Sequence, residues 1–179
     1  AEQQHLWPIY INALRGEPTT NVEAQLPRRD GSFARVAVNA ASILGPDGDK
    51  LSKRHGAVSV TQYEDDGYVP EAMLNYLARL GWSHGDAEKF TREQLVAWFD
   101  GSHLAKSPAQ WDPAKLAWVN AHYLKHADDA RLAALVQAQL ASRKLQAHDL
   151  DHLSRACALF KDRCSTTVEI ADWLQMYFL

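Results

Sequence analysis

From Pro70 to the end of the chain, apolar residues return every three or four positions, and most of these runs are bracketed by residues that start or stop a helix. This pattern commits the larger part of the chain to packed helices, because a half-buried strand would need strict alternation instead. Val69-Pro70-Glu71 places proline in a first turn, where its missing N–H is no loss. Met73, Tyr76, Leu77 and Leu80 then share a face, and Gly81 can end the helix. Thr91 and Gln94 form a capping box ahead of Leu95, Trp98 and Phe99. Asp112-Pro113 opens a helix whose inner face includes Leu116 and Val119. Asp128 or Asp129 starts the run Arg131–Leu140, with Leu132, Leu135 and Val136 facing a core. A helix from Leu150 to Phe160 follows, and Thr166 with Glu169 caps another, on which Ile170, Trp173, Leu174 and Tyr177 repeat the packing period. The chain stops directly after that face, in WLQMYFL, so a partner helix is expected to be missing and self-association or instability to result. Helical spacing also places Trp82, Trp98, Trp111, Trp118 and Trp173 in cores rather than on base-stacking platforms.

Before Pro70 the pattern changes. Leu6 to Leu14 is an apolar patch broken by Pro8, compatible with a short strand or helix. Gly16 to Gly31 reads as turn-rich and polar, with Arg28-Arg29-Asp30-Gly31 a reverse turn. Phe33 and Arg35–Val38 read as a strand. Ser42-Ile43-Leu44 is a short apolar segment before Gly45-Pro46-Asp47-Gly48, a strong turn signal. The fold class is therefore mainly α with a small α/β part.

The 19 basic and 22 acidic residues leave a net charge of −3. Non-specific attraction to nucleic acid is thus not the default, although a local basic patch could still serve an RNA partner. Apolar runs fall short of the ~18 residues needed to span a bilayer, and the first residues lack the basic and apolar regions of a secretory signal. A cytoplasmic protein without membrane attachment is expected. Cys157 and Cys164 lack a CxxC or Cys/His context and read as reduced, packed thiols.

The densest chemical signal is Gly45 through Gly56, where a glycine- and proline-rich turn delivers Lys50, Lys53 and Arg54 with Ser52 between them. Such a loop can close over a polyphosphate. Lys50 and Lys53 could stabilise charge as pyrophosphate leaves, Arg54 could clamp phosphate or RNA backbone, and Ser52 could add hydrogen bonds. It is not a P-loop, because the GxxxxGK[ST] order is absent. The competing reading of the bare string is a solvated basic turn, and His55 reads as a turn or packing histidine rather than a base. The carboxylates of Tyr63–Tyr68 are contiguous and read as a solvated turn rather than a metal site. His84 reads as a loop or packing residue, and His122 with His126, four apart without HExxH, as surface or interdomain contacts.

Lys50-Leu51-Ser52-Lys53-Arg54 resembles the KMSKS-type signature of class I aminoacyl-tRNA synthetases, in the KLSKR form of glutamyl enzymes. The wider wording, Ile43 through Ala57, is more specific than the five-residue core. It is followed at the family's spacing by Tyr68–Ala72 and by Leu74-Asn75-Tyr76-Leu77-Ala78-Arg79-Leu80-Gly81-Trp82-Ser83. Lys161-Asp162-Arg163 and Thr166 resemble the segment that opens the family's anticodon-binding part. The resemblance covers about residues 36–179. It implies a catalytic-domain remnant with the signature loop over 1–56, a connecting helical domain over 57–125, and the start of a helical anticodon-binding domain over 126–179.

In that family glutamate and ATP, with magnesium, form glutamyl-adenylate and pyrophosphate, and the glutamyl group then passes to the terminal adenosine of tRNA-Glu. Whether tRNA-Gln is also charged stays open. The resemblance assigns Lys50, Ser52, Lys53 and Arg54 to ATP, with Lys50 and Lys53 catalytic, and Arg54 and Arg163 to RNA. It implies no resident metal and a monomeric parent. Lys106, Lys115, Lys125, Arg131 and Lys161 are further cations from which tRNA contacts could come. The HIGH-type motif and the glutamate-binding residues are not recognisable here, and Asn39 stands where a histidine is common. A catalytically incomplete segment is expected; the alternatives are an inactive helical tRNA-binding module and a truncated remnant.

Overall fold

The computed structural model describes residues 19–28, 30–40, 43–49, 59–105 and 107–177. It divides into two compact units, one of residues 1–57, 78–87 and 98–112, the other of 58–77, 88–97 and 113–179. The expected class holds: a mainly helical chain with a small β portion. The apolar patch Leu6–Leu14 lies outside the described residues.

In the first unit, β1 (Thr19–Pro27) pairs antiparallel with β2 (Phe33–Ala40), with Ala24 opposite Val36 and Leu26 opposite Ala34. The strand expected at Phe33–Val38 is present, and β1 corrects the expectation of turn over Gly16–Gly31. Val22, Ala24 and Leu26 alternate with Asn21, Glu23 and Gln25. That two-residue period outweighs a turn-like composition once a partner strand is available. The turn between the strands falls where expected: Gly31 has φ +82° and donates to the Arg28 carbonyl at 3.1 Å. The Asp30 carboxylate accepts from the Ser32 hydroxyl (2.7 Å) and backbone N–H (2.9 Å), and these bonds hold its pKa below the ordinary value.

Two short strands, β3 (Ile43–Leu44) and β4 (Ala109–Gln110), run parallel. In the same unit Trp82 bridges Leu104, and the Ala105 N–H donates to the Gly81 carbonyl at 2.9 Å. His84 stacks on Trp98 with ring centroids 4.4 Å apart and planes 9° from parallel, so it has the packing role expected.

The second unit begins with α1 (Val60–Asp65), which replaces part of the turn expected over Tyr63–Tyr68. Its signal is Ser59, whose hydroxyl accepts from the Thr61 N–H. The helices α2 (Pro70–Gly81), α3 (Arg92–Trp98), α4 (Pro113–His126), α5 (Asp129–Ser142), α6 (Leu150–Phe160) and α7 (Thr167–Leu174) follow, with residues 78–81 of α2 and Trp98 of α3 falling in the first unit. The predicted capping box of α3 is reciprocal: Gln94 N–H donates to Thr91 Oγ1 (3.2 Å) and Thr91 N–H to Gln94 Oε1 (2.8 Å). Asp128, not Asp129, caps α5, accepting from the Arg131 N–H at 2.9 Å. At α7 Thr166 accepts from the Glu169 N–H (3.1 Å), but Glu169 reaches back to the Ser165 N–H (2.6 Å) rather than to Thr166.

The core of this unit joins Val69 and Ala72 to Val119 and Leu124 of α4, Leu132, Val136 and Leu140 of α5, Leu153 and Cys157 of α6, and Ile170 and Leu174 of α7. Burial of this aliphatic set, at about 25 cal/mol per Å² of apolar surface, is what holds short helices that would be marginal alone. Three expected core positions lie outside it. Trp118 is 43% exposed, Trp173 56% and Tyr177 66%. Trp173 lies against Phe160, ring centroids 5.8 Å apart. Phe99 follows the end of α3 and is half-exposed, its ring 5.7 Å from that of Trp82.

Cys157 and Cys164 are free and buried, as expected. Loss of water around Cys157, reinforced by the Asp129 carboxylate, pushes its thiol up to about 12. The reactive thiolate is therefore suppressed at neutral pH. Iodoacetamide at pH 8 should leave Cys157 unmodified in the folded chain and alkylate it rapidly in denaturant, as peptide mass spectrometry would read; rapid native labelling would contradict this burial.

Candidate functional site

The segment leading to the basic loop is built by β3 and the turn that follows it. Gly45 donates to the Asp49 carbonyl at 2.6 Å and Gly48 to the Gly45 carbonyl at 3.0 Å, while Asp47 Oδ1 accepts from the Asp49 N–H at 3.1 Å. Gly48 sits at φ +84°, where a side chain would be strained. The end of β4 and the residue after it brace this turn: Gln110 Nε2 donates to the Pro46 carbonyl (3.1 Å) and Trp111 N–H to the Leu44 carbonyl (2.7 Å). The base of the loop is thus fixed by backbone and amide bonds up to Asp49. Lys50, Ser52, Lys53, Arg54 and His55 lie outside the described residues.

Arg163 lies in a 3-10 turn, Lys161–Arg163, and its side chain is exposed. Its neighbours are committed to structure. Lys161 Nζ meets Asp129 Oδ1 at 2.5 Å and the Ala127 carbonyl at 3.0 Å, tying the end of α6 to the start of α5. Arg131 pairs with Glu71 at 2.7 Å and Lys125 with Asp162 at 3.7 Å. These two pairs are solvent-exposed and contribute little to stability, on the order of 0–1 kcal/mol each. Lys106 lies outside the described residues.

Two buried asparagines, which sequence reading did not single out, position the helices around this region. Asn75 of α2 donates to the Glu88 carbonyl (2.9 Å) and accepts from the Phe90 N–H (3.0 Å) and the Tyr123 hydroxyl (2.8 Å). Asn120 of α4 accepts from the Val69 N–H (2.9 Å) and donates to the carbonyls of Gly67 (3.3 Å) and Ser165 (2.5 Å). The available signal was a polar residue on an otherwise apolar helical stripe: Asn75 beside Tyr76, and Asn120 beside Val119.

A further cluster lies on the outer face of α4. The ammonium groups of Lys89 and Lys115 sit 4.2 and 4.3 Å from the centroid of the Trp118 ring. Lys115 is also paired with Glu88 at 2.7 Å. One turn on, His122 and His126 have ring centroids 4.4 Å apart, and His126 Nδ1 donates to the His122 carbonyl at 2.7 Å. Partial burial, then the charge of Lys89, then His126, lower the pKa of His122.

Against this geometry, the family model described as tRNA synthetases class I (E and Q), catalytic domain, matches residues 31–118. A glutamate–tRNA ligase of Leptothrix cholodnii is 49% identical over 171 residues, covering 94% of this chain and 36% of that protein. A glutamate–tRNA ligase of Bordetella avium is 62% identical over 130 residues, covering 73% of this chain and 28% of that one. The solved glutamate–tRNA synthetase of Elizabethkingia anophelis superposes with a TM-score of 0.65 at 26% identity, over 77% of this chain and 32% of that chain. The chain spans about a third of the length of these relatives. Coverage of 94% also carries the likeness into the first 35 residues, so its start near residue 36, expected from local wording, is too late.

Proposed function

Because the chain belongs to the class I glutamyl- and glutaminyl-tRNA synthetase family, we propose that it supplies the phosphate-handling loop and part of the tRNA-binding helices of a glutamate–tRNA ligase. The observation that carries this reading is the KLSKR string at Lys50–Arg54, which falls inside the matched region directly after the braced turn Gly45–Asp49. In the complete protein, a glutamate carboxylate oxygen attacks the α-phosphate of magnesium-bound ATP, the bond to the β-phosphate breaks, and pyrophosphate leaves. The acyl group then moves from the adenylate to a hydroxyl of the terminal adenosine of tRNA-Glu, releasing AMP. Lys50 and Lys53 offset the charge that accumulates on the phosphates, with Lys53 the main contributor, while Ser52 and Arg54 hold the nucleotide and Arg54 also meets RNA. Arg163 is a second RNA contact. The loop's role is electrostatic and needs no proton transfer at His55. The same reading divides the chain near residues 56 and 125 and places the protein in the cytoplasm.

A second reading, a helical tRNA-binding module without catalysis, is favoured by one feature: the unit containing α4–α7 has a continuous aliphatic core of its own. One experiment separates the two. The purified 179 residues should bind tRNA-Glu saturably, on the order of tenfold or more tighter than an unrelated tRNA at one fixed salt concentration, a difference of about 1.4 kcal/mol. They should charge no tRNA by themselves. Normal charging by the chain alone would overturn its role as one part of the catalytic apparatus, and unselective binding would remove the RNA reading.

A further inference from the structure

We propose that His122 and His126 form a two-imidazole site, at the C-terminal end of α4, for an exchangeable divalent transition ion of the zinc or copper class. Side chains four apart on a helix stand one above the other, and these two share a face of the last turn of α4. Their ring centroids are 4.4 Å apart and their planes are tilted by 46°, so the rings converge without stacking flat. With metal–nitrogen bonds of about 2 Å, two imidazoles on neighbouring positions of one ion have ring centres roughly 4.5–5 Å apart. The pair is a small side-chain adjustment away from that geometry.

The protons are arranged for the same purpose. The His122 carbonyl can only accept, so the 2.7 Å bond from His126 Nδ1 fixes the proton on that nitrogen and leaves Nε2 as the basic atom of the neutral ring. A carbonyl holding the second nitrogen in this way is what orients histidine ligands in metal sites. Partial burial and the charge of Lys89 disfavour the protonated form of His122, which keeps that ring neutral at pH 7. Lys89 also opposes a bound cation, but the negative end of the helix dipole lies at His126, and Lys125 in the same turn is paired with Asp162. Among the described residues no third His, Cys, Asp or Glu completes a group with the pair. Water therefore takes the remaining positions, and the ion exchanges instead of staying resident. His148 and His152 have the same spacing without the same geometry: His148 precedes Asp149, the N-cap of α6, and so lies outside the helix, at its positive end.

The test is calorimetric titration of the full 179-residue chain with Zn2+ alone at pH 7.5, with circular dichroism confirming that each variant is folded. Wild type should bind one ion saturably at this site. His122→Gln and His126→Gln should each weaken that binding by about tenfold or more, because either change leaves a single imidazole. His148→Gln and His152→Gln, which remove the other pair of equal spacing, should leave it unchanged. Lys89→Gln removes the opposing charge and should tighten binding about twofold. Equal affinity of wild type and His126→Gln, or loss confined to only one of the two histidine variants, overturns the paired site, as does the absence of saturable binding by the folded wild-type chain. The outcome is independent of the ligase reading above, which needs no ion on α4.

Discussion

Gly67→Ala is expected to destabilise the helical unit by more than about 3 kcal/mol, a large share of the 5–15 kcal/mol that holds a typical domain together. Two costs add. Gly67 has φ +86°, a conformation that costs a residue with a side chain about 1–2 kcal/mol. A Cβ there would also stand 2.7 Å from Val168 N and 2.9 Å from Thr167 N, both backbone atoms at the start of α7 that no rotamer change can move. The Gly67 carbonyl accepts from the Thr167 N–H at 3.0 Å, so relieving the clash would break the contact that docks α7. Gly101, at φ +81° with nothing within 4 Å of a Cβ, provides the control: Gly101→Ala should cost the conformational part alone. Hydrogen exchange read residue by residue would follow both sites in one sample. A loss below about 1 kcal/mol at Gly67 would mean that α7 is not seated on this turn.

Much of the helical part was legible because caps and apolar period point the same way. Thr91 with Gln94, Asp128 and Thr166 all act at the helix starts that their spacing indicates. Tertiary partners were not legible. Gly67 reads as one more turn glycine, and the need for it comes from α7, about 100 residues later in the chain. Periodicity also misplaced Trp118. The inner face of α4 is set by Leu116, Val119 and Leu124, and Trp118, one residue before Val119, is turned roughly 100° away from it. Trp173 errs in the same way at the flank of Ile170 and Leu174, where Phe160 covers only part of its ring.

The candidate site divides differently. The string Lys50–Arg54 and its flanking wording were enough to suggest the family from the residues alone, whereas the support beneath the loop was not readable. The bonds from Gln110 and Trp111 to Leu44 and Pro46 join segments more than sixty positions apart, and neither side has a local pattern that announces the pairing. The cationic cluster on α4 was equally hidden. Lys89 and Lys115 are scattered in sequence, and only the packing of α4 brings both to one tryptophan.

Asn120→Ala should cost about 3 kcal/mol, and the reason lies in what it would leave behind. Asn120 is fully buried and uses both ends of its amide, accepting from the Val69 N–H and donating to the carbonyls of Gly67 and Ser165. Gly67 keeps its bond from the Thr167 N–H, so alanine would strand chiefly the Val69 donor and the Ser165 acceptor. Each group left buried without a partner costs roughly 1–3 kcal/mol. Asn120→Asp separates this explanation from simple loss of volume. One carboxylate oxygen could still accept from Val69, but the other would face two carbonyl oxygens in a buried site, which disfavours the charged form and raises the folded-state pKa above the unfolded value of about 3.9. A raised pKa means that the folded state gains stability relative to the unfolded one as pH falls through the folded pKa, because the protonated carboxyl can again donate to Ser165. Denaturation at pH 7 should therefore rank Asn120→Asp below Asn120→Ala, and the gap measured relative to Asn120→Ala should close as the pH is lowered toward 4. A gap independent of pH would mean that this side chain fills space without organising the junction of α4 and α7 through its amide.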